Sequence, residues 1–225
     1  MTTAATTTLP VDAAAPPPRP NQASPRAREL ERMSLAALEE VFVRGVTPDL
    51  AGLAGWEFRG LNSPSYFKLL GIKKFVKGFW RDAAGVTWGY NYPVEQNALD
   101  AGWYGLPSVT NPKRFGFYTV APVDPTAPDN RYLHALLLDY GQGKNPRLDA
   151  SAGLRDYLVQ VDAADPDLLL GKAYYALGPV RVPTASFFIL ERHLDVARAH
   201  LNLATTSYYL GDAAAAIDAY RAAAA

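Results

Sequence analysis

The chain of 225 residues has room for one large or two small domains, and with 49% hydrophobic residues it can bury one sizeable core. Its 22 basic and 22 acidic side chains cancel, so it lacks the broad positive field that nucleic acid or an anionic membrane surface selects. It has no cysteine, which excludes disulfides, thiolate nucleophiles and zinc–sulfur centres, and no apolar run reaches the roughly 18–20 residues of a helical membrane span.

Residues 1–25 are mostly Thr, Ala and Pro, and Pro16, Pro17, Pro18 and Pro20 favour extended, polyproline-like backbone. A secretory signal needs basic residues followed by a continuous apolar stretch. The threonines between Thr2 and Thr8, together with Asp12, interrupt any such stretch. A disordered leader and a cytoplasmic protein are therefore expected. From residue 26 the texture changes: Leu30, Met33, Leu35, Leu38, Val41 and Phe42 recur at helical spacing until Gly45, and Thr47-Pro48-Asp49 begins a turn. This predicts one amphipathic helix over 26–44, within a segment 26–45, packed on the domain as a lid or plug. Its polar face mixes Glu with Arg and is not basic, which disfavours a helix lying on a membrane.

Residues 46–193 hold the aromatic-rich runs, broken by Gly, Pro, Asn and Asp, that mark strands and turns. Candidate strands are Trp56–Leu61, Lys73–Arg81, Val86–Tyr92, Phe115–Val120, Tyr132–Tyr140, Leu154–Val161, Leu168–Ala176 and Ala185–Arg192. Asp82-Ala83-Ala84-Gly85 reads as a hairpin connection, and Gly178-Pro179 with Pro183 as a break before the last strand. The connections are mostly too short for crossover helices, so the order is antiparallel. About eight such strands in one domain suggest a closed barrel, with a two-sheet sandwich as the alternative. In the second strand Lys73, Phe75, Lys77, Phe79 and Arg81 share one face, and Ile72, Lys74, Val76, Gly78 and Trp80 the other. Neither face is purely apolar, and a barrel with a lined cavity tolerates that better than a solid sandwich.

Residues 194–225 turn alanine-rich and helical, with Gly211-Asp212 separating two helices of a hairpin. Leu203, Ala204, Gly211, Ala216, Tyr220 and Ala223 stand at the spacings of a single tetratricopeptide-like repeat. One repeat cannot bury its own face. The hairpin is thus expected to lean on the barrel, pair with another chain or belong to a longer array, or else to be two plain packing helices.

Little in the chain signals catalysis. The 3 histidines, His134, His193 and His200, do not form a metal-ligand spacing. No Gly-x-Ser-x-Gly and no phosphate loop is present. Gly141-Gln142-Gly143-Lys144 reads as a turn. The aspartates Asp124, Asp129, Asp149, Asp162, Asp165 and Asp167 fall near turns, where Asp bonds its local backbone. No cofactor and no metal is expected.

Gly55-Trp56-Glu57-Phe58-Arg59-Gly60 opens the β region. Leu154-Arg155-Asp156-Tyr157, Leu170-Gly171-Lys172-Ala173 and Ser186-Phe187-Phe188-Ile189-Leu190-Glu191-Arg192 close it. In this order the chain resembles the calycin group, the lipocalin and fatty-acid-binding-protein-like barrels. More narrowly it is similar to bacterial and fungal proteins opening with Gly-x-Trp-x-Gly and closing with Phe-x-Leu-Glu-Arg. The resemblance, over roughly 46–193, implies a mainly β fold: an antiparallel, eight- to ten-stranded calycin-like barrel that holds an apolar small molecule, here with an N-terminal helix and a C-terminal helical hairpin. It also implies that Trp56 closes one end with Arg192 packed across it.

The expected function is non-catalytic binding of a hydrophobic small molecule, a fatty acid or lipid, in the barrel cavity. Trp80, Tyr90, Tyr118, His134, Tyr157, Tyr174 and Phe188 would form its wall, and Arg155 or Lys172 would meet a carboxylate head. The alternatives are a protein-interaction module using residues 194–225, and a haem-binding or enzymatic barrel in which the late His193 would be the ligand. Nucleic acid and a membrane span are not expected as partners.

Overall fold

Strands form where β-branched and aromatic residues alternate with small or polar ones, and here eight of them close on themselves. The computed structural model describes residues 21–63, 71–109, 112–146 and 149–193. They contain β1 (Glu57–Asn62), β2 (Lys74–Arg81), β3 (Thr87–Pro93), β4 (Phe115–Pro122), β5 (Leu136–Asp139), β6 (Leu154–Asp162), β7 (Asp165–Leu177) and β8 (Val180–Arg192). Each strand pairs antiparallel with the next, and β8 returns to β1 with Phe58 opposite Arg192 and Asn62 opposite Phe188, making a closed barrel. Closure leaves no sheet edge to template aggregation. Residues 1–20 and 194–225, with the leader and hairpin expected there, lie outside the described residues.

Several of the sequence expectations are corrected. The helix expected over 26–44 is two helices, α1 (Pro25–Arg32) and α2 (Leu35–Arg44). Met33 adopts extended backbone, and the Ser34 hydroxyl accepts from Ala37 N–H to start a new helix, because a serine offers its backbone a cap that competes with continuing the turn. Ser24 caps α1 in the same way, and the Asn21 side chain brackets Trp103 N–H and C=O at 3.1 and 3.2 Å, so residues 21–25 belong to the fold. The fifth strand starts at Leu136 and not at Tyr132, since Ala135 N–H folds back to Tyr132 C=O. The last strand starts at Val180, directly after Gly178 turns with φ 59°. Pro183 is accommodated within it next to a register shift, where a missing N–H does least harm.

The inward face is identified by one contact. Lys77 of β2 and Asp156 of β6 lie on opposite walls of the ring, yet they meet at 3.1 Å. Period-2 alternation then assigns every other residue along each strand to the interior. Two inward glycines make room for rings. A Cβ on Gly89 would stand 2.1 Å from the Tyr118 ring, and one on Gly171 would stand 2.0 Å from the Phe188 ring.

The helices do not plug the barrel. α1 packs on β8 and β1, and α2 on β6, β7 and β8, along the outer wall. Leu30, Leu38 and Phe42 join Tyr157, Val159, Leu170, Phe187 and Ile189 in an outer apolar layer. One end of the barrel is covered by the short helix α3 (Leu50–Leu53), through Leu53, and by Trp56. No described helix is long and apolar enough to cross a membrane.

Gly171→Ala would push a methyl group into the Phe188 ring from a rigid strand. Urea unfolding should show a loss of about 1–3 kcal/mol, the usual cost of overpacking. A neutral result would mean that the ring moves freely and the interior is loose.

Candidate functional site

The interior divides into two halves of different chemistry. On the Trp56 side, Phe58, Leu136, Leu158, Leu169 and Leu190 are each 0% exposed and Phe79 is 1% exposed. No water-sized space therefore touches them. Phe58 and Phe79 pack edge to face with centroids 5.5 Å apart, and Phe79 meets Tyr118 at 5.9 Å. Arg192 closes this end, with its guanidinium 4.6 Å from the Trp56 ring, Nε 2.5 Å from Asp167 and Nη1 3.0 Å from Gly52 C=O. The barrel is filled by its own side chains over this half, so a cavity of the kind expected has no room there.

Halfway along the axis lies a polar layer. Lys77 Nζ donates to Asn91 Oδ1 at 2.9 Å, Tyr140 OH at 2.5 Å and Asp156 Oδ2 at 3.1 Å. An ammonium has three hydrogens, and each has an acceptor. Tyr140 OH donates on to Asp156 at 3.0 Å, and Asn91 Nδ2 bonds Gly116 C=O at 2.8 Å. The ammonium also lies 4.8 and 5.0 Å from the Tyr118 and Phe188 rings. Burial lowers the Lys77 pKa, and Asp156 opposes that shift. Burial, then the Asp156 charge, holds Tyr118 and Tyr140 well above the ordinary tyrosine range, and burial with Glu57 does the same for Tyr90. With all three hydrogens committed, Lys77 can orient and recognise but cannot attack or abstract a proton without losing a partner.

Level with this layer the inward residues Gly116, Ala173 and Ser186 are small, and toward the β3–β4 and β5–β6 loops the inward Phe75 and Leu154 follow. Ser151 Oγ lies 3.6 Å from where a Cβ on Gly116 would stand, and it is buried with no partner among the described residues. Solvent just reaches this level, with Asn91 7% and Ala173 5% exposed. The β3–β4 loop is tied down by Lys74, whose ammonium bonds Asn97 Oδ1 and the carbonyls of Ala98, Ala101 and Gly102 at 2.5–3.2 Å, with the Trp103 ring centroid 4.0 Å away. Burial brings the Lys74 pKa down to about 8 against the pull of Asp100 and Glu95.

The seven residues expected to form the cavity wall, and the two expected to meet a head group, fall in three places. Tyr118 and Phe188 face inward, against Lys77. Trp80 and Tyr90 face outward: Trp80 stacks on Trp88 at 6.1 Å, and Tyr90 reaches over Gly78 to bond Glu57 at 2.8 Å. Arg155, Tyr157, Lys172 and Tyr174 also face outward, and His134 joins them from the β4–β5 loop, bonding Phe42 C=O of α2 at 3.2 Å. Lys172 bonds Glu39 of α2 at 2.5 Å and Tyr132 OH at 2.7 Å. Although burial opposes it, these bonds raise the Lys172 pKa above its ordinary value.

Lys77, Asn91, Tyr140 and Asp156 went unpicked as site residues in the sequence. A signal existed: Lys77 interrupts the inward pair Phe75 and Phe79, and Asp156 interrupts Leu154 and Leu158, so two apolar faces carry single charges of opposite sign. Among the described residues no three His, Asp or Glu side chains gather as metal ligands. Compared with family models, curated proteins and solved structures, the chain matches none.

Tyr90, Tyr118 and Tyr140 keep their protons in the folded state well above pH 10, whereas the unfolded chain loses them near pH 10. The folded chain therefore binds more protons above that pH, and stability falls as pH climbs past it. Tyrosinate absorbance at 295 nm should show these three titrating only together with unfolding. Reversible titration near pH 10 in the folded protein would contradict their burial. Separately, Lys77→Met should cost about 3–5 kcal/mol in urea unfolding by stranding Asp156, and Lys77→Met with Asp156→Leu should recover much of that loss.

Proposed function

We propose that this chain binds a small molecule without transforming it, taking the ligand at the loop end of the barrel with its polar group over the Lys77 layer. The carrying observation is the position of that layer: four polar side chains from β2, β3, β6 and the start of the β5–β6 loop converge at the border of the filled half, level with the small inward positions Gly116, Ala173 and Ser186. The eight-stranded closed barrel and the Trp56–Arg192 contact support kinship with calycin-like binding barrels.

The ligand chemistry follows from the wall. Phe75, Leu154 and Phe188 favour an apolar body. Ser151 Oγ and Asn91 favour one hydrogen-bonding group. A carboxylate head would compete with Asp156 for the ammonium that Asp156 already holds, so a hydroxyl or carbonyl suits the layer better. The filled half removes the length that an extended fatty acid or lipid tail needs, so the ligand is a short chain or a ring. Because Lys77 is fully bonded, the reading is of recognition and not of catalysis.

Organic extraction of the purified full chain followed by mass spectrometry should release such a molecule in stoichiometric amount. Ala173→Leu, which enlarges the inward side chain paired with Asp156, should abolish that release with the barrel still folded by circular dichroism. The reading fails if the extract is empty and the unfolding temperature does not respond to a series of short alcohols and ketones.

A further inference from the structure

The β7–β8 hairpin outruns the barrel. Among the described residues β6 pairs with β7 only as far as Tyr175, opposite Leu154, and β1 pairs with β8 only as far as Phe188, opposite Asn62. Past Tyr175 the two strands continue with each other alone, to Leu177 opposite Val180 and a turn at Gly178. The two faces of this projection differ in kind. Tyr174 and Arg181 look to the outer wall, where Tyr174 OH meets Tyr132 OH at 2.7 Å and Arg181 pairs with Asp129, itself held by Arg155 Nε at 3.2 Å. Alternation puts Tyr175, Leu177, Val180 and Val182 on the opposite face, in one row with the inward Ala173 and so overhanging the mouth of the barrel.

That overhanging face is open to solvent. Leu177 and Val180 are each 58% exposed and Val182 is 40% exposed. Single exposed apolar residues are ordinary, but three side by side with a half-buried tyrosine ring form a surface that gains from being covered. The wall is also held in place. Arg181 donates to Asp129 through Nε and Nη2 and to Gly178 C=O through Nη1 at 2.7 Å, and Tyr175 OH donates to Ala150 C=O at 2.7 Å. A surface fixed beforehand loses little freedom when it receives a ligand. Pro179 and Pro183 lack N–H groups, which opposes the addition of a partner strand along this stretch.

We propose that this overhanging face takes the apolar body of the loop-end ligand, which lies along the hairpin above the rim and not inside the barrel. The inference rests on the loop-end reading for the polar end of the ligand and adds the length and class of the rest. The row of side chains is continuous: Ala173 stands level with Asp156, Tyr175 with Leu154, and Leu177 with the tip. From Ala173 to Leu177 is four residues of strand, or about 13 Å, which a chain of about ten carbons spans. The ligand is thus an uncharged, single-headed molecule, a medium-chain alcohol or ketone or a fused ring of that length. One side of it is covered by Leu177, Val180 and Val182.

The test is calorimetric titration of the full chain with 1-propanol, 1-hexanol and 1-decanol. Affinity should climb about two- to fourfold for each added carbon, since each methylene leaves water for the hairpin face. Leu177→Ser together with Val180→Ser changes two exposed positions and should leave the unfolding temperature and the 1-propanol affinity as in the parent chain, while removing most of the gain from propanol to decanol. Val182→Ser should remove a smaller part of it. Val43→Ser, an equally exposed change on α2, should remove none. If 1-propanol binds but 1-decanol binds no tighter, or the double variant keeps the parent's gain, the hairpin proposal is overturned and the loop-end reading stands. If no alcohol binds, both are overturned.

Discussion

A cation and an anion from opposite walls meet on the axis of this barrel, and much of the architecture follows from where they stand. Lys77 and Asp156 bring charge to a place where charge is costly, and the cost is offset only because every hydrogen of the ammonium finds an acceptor. That requirement constrains the neighbours. Asn91 must present its carbonyl inward and anchor its amide on Gly116, and Tyr140 must span from ammonium to carboxylate. The four side chains bridge opposite walls of the ring at that level and border the dry aromatic plug.

The plug and the outer coat are complementary uses of aromatic residues. Inside, Phe58, Phe79, Tyr118 and Phe188 pack together, two of them resting in the space left by glycines on the neighbouring strand. Outside, aromatic rings form a second layer beneath α1, α2 and the β3–β4 loop, so that β-strands usually half-exposed are buried on both faces. Buried polar groups in that outer layer have assigned tasks: Glu57 receives the hydroxyls of Tyr90 and Tyr92 at 2.8 Å each, and Arg59 pairs with Glu191 at 2.7 Å. The Tyr157 hydroxyl departs from that pattern, being buried without a hydrogen-bond partner among the described residues.

Composition and periodicity by themselves determined the β class, the strand count, the short antiparallel connections and the boundaries of most strands to within a few residues, because those depend on local pattern and turn chemistry. The resemblance to calycin barrels, and not composition or periodicity, implied Trp56 and Arg192 as a structural pair. Only the tertiary structure decided which face of each strand looks inward. Alternation defines two faces but does not name them, and in this chain both faces carry aromatic and charged residues because both are buried. That is why Trp80, Tyr90, Tyr157 and Tyr174 read as cavity wall in the sequence and stand outside in the fold, while Lys77 and Asp156, 79 residues apart along the chain, could be recognised as partners only once the ring had closed and brought opposite walls within bonding distance.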